Sequence, residues 1–435
     1  MSRMVYLLNM TISGIKNLEK DIYIDFYGKQ IDKRFNPEKY KIKAIYGENG
    51  TGKTAIISAV EIVKEFIINE NYLRDFDNQA LLKDLINKKT KTFVFRCEYV
   101  TLIESIYIFE YEVHFSFDEN DEVYVSYESL KYKNNNSKCT QMTIFVCQNG
   151  DFVVLDANVN DRNRILDITK NLTSKQSVLF LLFKMVNSDY KVFIDRFIIV
   201  YATIFFLMII THFGDEDKHT KYYQNIRLNE LKRNNLVNKS VVDELLQNIS
   251  TNERRVAIDE FDNYLKNIKG LERFIKLFKP SLNSIVIDKR EDNGYFICRI
   301  LFDYIQYTVD FEFESTGIKH LVDIYSALKI ASLGAVVFID ELDANINDVM
   351  LGKLVEYFML YCNGQLCFTS HNTNPMIVLK RNNKSIDYLT TDNRIISWVK
   401  NGNYSPENRY RDGMIEGLPF NVDPSDFISV FEENI

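Results

Sequence analysis

Gly47-Glu48-Asn49-Gly50-Thr51-Gly52-Lys53-Thr54 is the stretch that decides the fold, because it fills every fixed position of the pattern GxxxxGK[ST]. The alternating segment 40–46 (YKIKAIY) runs straight into it. Behind it, Ile56, Ile57, Val60, Val63 and Ile67 recur at helical spacing over 55–70. Strand, glycine-rich turn and helix in that order make a cradle for phosphate. The glycines let backbone N–H groups wrap an anion that side chains would otherwise block. The helix that opens at Gly52 turns its positive end to the same anion. Lys53 is then placed for the β- and γ-phosphates and the Thr54 hydroxyl for magnesium, so the expected ligands are ATP and Mg²⁺.

A second motif completes the chemistry. Val336-Val337-Phe338-Ile339-Asp340-Glu341 is an apolar run that ends in two acids, as expected of a buried parallel strand with its ligand at the carboxyl end. Alone, such a pair reads as a solvated strand end. With a phosphate loop in the same chain, Asp340 is the magnesium carboxylate, directly or through water, and Glu341 the base that orients and deprotonates the attacking water. Leu342-Asp343-Ala344-Asn345 follows and makes Asp343 a candidate cross-subunit residue. A strand over 365–370 ends at His371, thirty residues beyond Glu341 and flanked by Ser370 and Asn372. That placement singles it out as a catalytic candidate. His114, His212, His219 and His320 have no such context.

Ser315-Thr316-Gly317 lies between the strand YTVDFEFE and the helix IKHLVDIYSALKI, and it resembles the signature motif of ABC-type ATPases. The order is similar too: IDELD follows that helix, and FTSH follows IDELD. Within the ABC type the chain resembles the SMC/RecF-like branch, and there the bacterial AAA-family ATP-binding proteins of the RloA, AbiL and PARIS AriA kind. The likeness covers most of the chain. It rests on the opening strand pair, ESTG, IDELD with LVEYF after it, QLCFTSHNTN, and a closing YRDG and GLPF. It implies an α/β P-loop NTPase head of ABC type in which Ser315, Thr316 and Gly317 of one subunit close over the γ-phosphate held by another, with His371 on the same phosphate. A homo-oligomer is thereby implied. So is a separately encoded effector, a nuclease or toxin, in a phage-defence module. The signature is shorter than the LSGGQ of transporters, and the insertion is too short for an SMC coiled coil. No glutamine loop is evident; Gln79 is the candidate, and Lys16 is one for the adenine side. For each, a solvated surface residue is the plainer reading.

The rest of the chain fits around these motifs. Strands are expected at 5–13 and 21–27 and through 91–155, and helices through 160–280, with 218–279 as an exposed arm or lid. Strands return at 284–288 and 295–314, then a helix at 317–332, a strand at 335–339, a helix near 349–360 and a closing hairpin (IDYL, IISWV). The expected units are an N-terminal ATPase lobe with its β-rich part (1–160), a helical insertion (161–282), and a C-terminal lobe (283–435). At 435 residues and 46% hydrophobic the chain can bury a large core, and only 6 Pro and 16 Gly argue against disordered linkers. The apolar run 197–213 sits at the lower edge of a membrane span but has no basic cluster beside it, so it reads as a buried strand leading into a buried helix. The N-terminus alternates like a strand rather than a signal peptide. Cys97, Cys139, Cys147, Cys298, Cys362 and Cys367 form no CxxC pair and read as core thiols of a cytoplasmic protein.

A net charge of −7 supplies no global attraction to nucleic acid. Lys232, Arg233, Arg254 and Arg255 of the arm are candidates for a nucleic-acid or partner contact, against the plainer reading of a solvated helix face. Three functions follow: the regulatory ATPase of a two-component defence system, a RecF-type repair ATPase, or a scaffold that binds ATP to assemble with little turnover.

Overall fold

The computed structural model describes residues 4–28, 31, 35–102, 105–135, 140–187, 196–213, 253–382, 384–400 and 404–417. Residues 218–252 of the expected arm (218–279), with Lys232 and Arg233, the side chain of Arg254, Cys139, and the segment beyond Gly417 lie outside the described residues.

The chain runs β1 (Met4–Ser13), β2 (Ile22–Asp25), β3 (Ile42–Tyr46), α1 (Lys53–Ile68), α2 (Phe76–Leu85), β4 (Thr92–Leu102), β5 (Ile106–Phe117), β6 (Val123–Asn134), β7 (Met142–Gln148) and β8 (Asp151–Leu155). Then come α3 (Val159–Thr169), α4 (Val178–Asn187), α5 (Arg196–Leu207), β9 (Ile209–His212), β10 (Glu253–Ala257) and α6 (Phe261–Phe278). The last part holds β11 (Ser284–Asp292), β12 (Tyr295–Asp303), β13 (Thr308–Asp310), α7 (Thr316–Leu333), β14 (Val336–Ile339), α8 (Asp348–Tyr361), β15 (Gln365–Thr369), α9 (Asn374–Leu379), β16 (Ile386–Leu389), β17 (Ile395–Ser397) and α10 (Pro406–Arg411).

The result is a mixed α/β fold with three sheets among the described residues. The site is carried by a six-stranded sheet in the order β17-β16-β3-β15-β14-β9. Its β16-β3-β15-β14-β9 part is parallel, and β17 closes the edge as an antiparallel hairpin partner of β16. Every residue of β3, β14, β15 and β16 is buried; β14 reads as an unbroken apolar run for that reason, while β3 and β16 each carry one charged residue, Lys43 and Asp387, which pair with each other. A seven-stranded antiparallel sheet, β2-β1-β4-β5-β6-β7-β8, lies beside it. The Gln365 side chain ties the two together: it accepts from Leu7 N at 2.9 Å and donates to Leu7 O at 3.0 Å. One continuous apolar core runs from Val5 to Ile415 and takes in residues of all three sheets.

The run 197–213 reverses the expected order. It is the helix α5 followed by the strand β9, which pairs in parallel with β14 from Ile209↔Val336 to His212↔Ile339. Apolar content alone does not separate a buried helix from a buried strand, so periodicity had no hold on this stretch. Two strands, β9 and β10, therefore lie within the segment expected to be helical, one of them in the central sheet. Among the described residues no helix is long and apolar enough to cross a membrane. Five of the cysteines are buried and free, and burial pushes the Cys362 thiol up to about 11.

Candidate functional site

Because β3, β15 and β14 are parallel neighbours, Gly47, Ser370 and Asp340 leave the sheet along one edge. Adjacent strands lie about 4.8 Å apart, so β3 and β14 are separated by roughly 10 Å with β15 between them. That spacing suits a bound phosphate chain.

The loop 47–54 has the backbone its sequence requires. Gly50 and Gly52 take left-handed conformations at φ +79° and +111°. A Cβ at Gly47 would lie 2.7 Å from Leu389 O, and one at Gly52 2.5 Å from Leu18 Cδ2. Thr51 Oγ1 donates to Glu48 O at 2.9 Å and tightens the turn. Lys53 is buried, and its Nζ donates to Gly47 O at 2.8 Å and Glu48 O at 2.9 Å. Burial lowers its pKa, opposed by the charges of Asp340, Glu341, Asp343 and Glu48. Asn49 and Thr54 are exposed.

The turn after β1 buttresses the loop from outside. Asn17 Nδ2 donates to Gly50 O at 2.6 Å, and Lys16 Nζ reaches Ser58 Oγ on α1 at 3.4 Å. Burial lowers the Lys16 pKa and the Asp340 charge opposes this.

The acid pair is held by a residue the sequence reading passed over. Thr369, at the end of β15 and fully buried, donates from Oγ1 to Asp340 Oδ1 at 2.6 Å and accepts from Glu341 N at 2.8 Å. Asp340 Oδ2 has no hydrogen bond among the described residues. Glu341 is exposed, at φ +51°. Asp343, a candidate for a cross-subunit role, is engaged within its own chain: Oδ2 accepts from His371 N at 3.1 Å and Asn372 N at 3.0 Å. Its Oδ1 is buried and finds no donor among the described residues. The turn carrying His371 is held further by Asn372 Nδ2, which donates to Asp348 Oδ1 at 2.6 Å, and the His371 side chain is exposed.

Ser315 caps α7, its Oγ accepting from Ile318 N at 3.5 Å, and Ser315 and Thr316 are exposed. Gly317 packs so tightly on the acid loop that a Cβ there would lie 2.8 Å from Asn345 O. Among the described residues no hydrogen bond or ion pair joins 315–317 to 47–54. Gln79 does not reach the phosphate loop with its amide. Its Nε2 donates to Leu73 O and Val123 O, and its Oε1 accepts from Val123 N, so it fastens α2 to β6. Arg255 pairs with Asp292 at 3.3 Å and covers the Tyr295 ring at 5.0 Å, which neutralises part of the expected basic face.

These residues fit magnesium as well as phosphate. Mg²⁺ takes few protein ligands and keeps its waters, and an exposed Thr54 hydroxyl with one open oxygen of Asp340 meets that need. Nothing else in the signal of the sequence pointed to Thr369 or Asn17: each is a polar residue at the end of a strand or turn, distinguished only by what the fold brings to it.

No protein-family model matches the chain, and no curated protein matches it. Among solved structures, the recombination mediator protein RecF of the RecFOR pathway is similar, in forms with ATPrS and with ATP. The first has a TM-score of 0.39 and 12% identity, over 92% of this chain and 99% of that one. The second has 0.38 and 12%, over 91% and 98%.

Proposed function

We propose that this chain is an ABC-type ATPase that works as a molecular switch, closing in pairs on ATP and reopening on hydrolysis. The observation that carries the reading is that β3, β15 and β14 are parallel neighbours, so the glycine-rich loop with its buried Lys53 and the acid pair Asp340–Glu341 leave the same edge of one sheet. ATP lies along 47–54, with loop amides and Lys53 on its phosphates. Thr54 and Asp340 would hold Mg²⁺, which neutralises phosphate charge when bound. Glu341 takes the proton of the attacking water, and Thr369 keeps the acid pair aimed. Asp343 holds the backbone of the His371 turn, so that His371 meets the γ-phosphate. Ser315, Thr316 and Gly317 of a second copy close the site, the helix N-terminus and Ser hydroxyl forming an anion contact.

The switch acts on a separately encoded effector, a nuclease or toxin, as the regulatory ATPase of a phage-defence pair. The sequence resemblance supports this role. A RecF-like repair role would instead give ATP turnover that rises with DNA and falls steeply with salt.

Mixing tests the shared site. Lys53→Ala removes the phosphate cation. Thr316→Asp sets a carboxylate against the γ-phosphate from an exposed first-turn position that favours an acid, so the helix is not harmed. A Gly317 variant is less clean, because its Cβ strikes Asn345 within the same chain. In a 1:1 mixture half the dimers are mixed, and each holds one intact site, so about a quarter of wild-type activity is expected from two inactive proteins. No recovery, with subunit exchange demonstrated, would remove the shared site.

A further inference from the structure

The helix α10 is only six residues long, yet it is fastened on several sides. Tyr410 is buried, its ring stacked on Tyr388 (5.7 Å, 20°) and edge-on to Tyr46 (5.8 Å, 62°), the last residue of β3. The Gly47 backbone hydrogen-bonds the Tyr410 hydroxyl, and Glu48 acts on it electrostatically. The next residue, Arg411, donates from Nη2 to Thr373 Oγ1 at 2.8 Å, two residues beyond His371. Glu407 pairs with Lys380, the residue just after α9, at 3.1 Å. Tyr388 Oη donates to Pro406 O at 3.2 Å.

Gly47 is therefore held through both its backbone groups: its N–H by Tyr410 and its carbonyl by Lys53. The second hold shares its donors with whatever the ammonium serves. A lysine that reaches a β- or γ-phosphate has fewer N–H bonds for Gly47 and Glu48. The Tyr410 contact does not weaken in that way. It is the fixed point from which the phosphate loop starts.

We infer that Tyr410 is a positioning residue for the phosphate loop, and that α10 links that loop through Arg411 to the turn that carries His371. The inference rests on the reading of 47–54 as a nucleotide site.

Tyr410→Phe keeps the ring packing and removes only the hydroxyl. One lost hydrogen bond of ordinary strength predicts an ATP Kd raised about 3- to 10-fold. Amide exchange of the peptide covering 47–53 should quicken even without ATP, while kcat at saturating ATP stays within about twofold, because Glu341 and Thr369 are untouched. Tyr388→Phe is the comparison: it loses a hydroxyl from the same aromatic cluster, but that hydroxyl donates to Pro406 O and not to the phosphate loop, so it should lower the urea midpoint and leave Kd and exchange in the loop unchanged. Equal effects of the two variants on Kd and exchange, or no effect of Tyr410→Phe on either, overturn the positioning role. A wild-type chain that binds no ATP overturns the nucleotide-site reading itself, and this inference with it. Unchanged exchange in Tyr410→Phe alongside wild-type ATP binding overturns this inference alone.

Discussion

Replacing Thr369 by Val removes one hydroxyl and leaves the shape of the side chain intact. The residue is fully buried at the end of β15, so no cavity and no new exposure complicate the result. Two bonds are lost. The first runs to the Asp340 carboxylate at 2.6 Å, and a hydrogen bond to a charged group contributes about 1.5–3 kcal/mol. The second leaves the Glu341 N–H without its 2.8 Å acceptor, at a cost of about 1 kcal/mol or more. Together they predict a loss of about 3 kcal/mol in a urea titration, roughly a hundredfold in the folding equilibrium. Thr369→Ser keeps the hydroxyl and should lie within about 1 kcal/mol of wild type. The activity readout is separate. With the clamp gone, Asp340 and the Glu341 backbone at φ +51° are no longer fixed, so phosphate release should fall at least tenfold while ATP binding changes far less. A Thr369→Val protein as stable and as active as wild type would refute the view that this hydroxyl organises the acid pair.

Further outcomes follow from the same structure. Lys53→Ala should abolish ATP binding in a calorimetric titration, because the cation that serves the phosphates is gone; wild-type affinity in that variant would rule out the loop as the site. Lys43 and Asp387 form an ion pair at 2.6 Å with side chains 2% and 0% exposed, so Asp387→Ala should cost about 3–5 kcal/mol. The double change Lys43→Met with Asp387→Leu should recover most of that loss, and failure to do so would mean the pair contributes more than it costs to bury. Glu128 is fully buried and accepts from Tyr111, Ser177, Val178 and Leu179; burial raises its pKa to about 7. The folded carboxyl holds its proton more tightly than the unfolded one. This contribution is therefore complete below the ordinary carboxylate range and lost as pH climbs through about 7, by about 3 kcal/mol in all. Urea midpoints from pH 4.5 to 8 should fall in wild type and be flatter in Glu128→Gln; parallel curves would contradict the buried titration.

Local grammar made the framework of the candidate site legible early. Gly50 and Gly52 need left-handed backbone, Lys53 needs the helix start behind them, and VVFIDE needs burial on both faces; each constraint is written in adjacent residues. The closing hairpin was equally local, since IDYL and IISWV are separated by a short polar turn. What stayed hidden was assembled from a distance. Nothing in ITH at 210–212 announces that it borders β14, and the preceding apolar helix is as hydrophobic as any strand. Thr369 looked like the tail of a strand because its two partners lie about thirty residues upstream. Gln79 looked available because its three hydrogen bonds go to backbone of Leu73 and of β6, and no sequence pattern displays a carbonyl's address. Asp343 was a candidate for a cross-subunit role, yet one of its oxygens is committed to the His371 turn of the same chain.

The central claim is that Glu341 is the base of an ATP-hydrolysing site, and single-turnover phosphate release from wild type and Glu341→Gln measures it most directly. The amide keeps the size and an acceptor oxygen but takes no proton at neutral pH. The expected result is ATP affinity equal to wild type with phosphate release lowered at least a hundredfold and the closed pair trapped. Release at the wild-type rate from Glu341→Gln would contradict the claim.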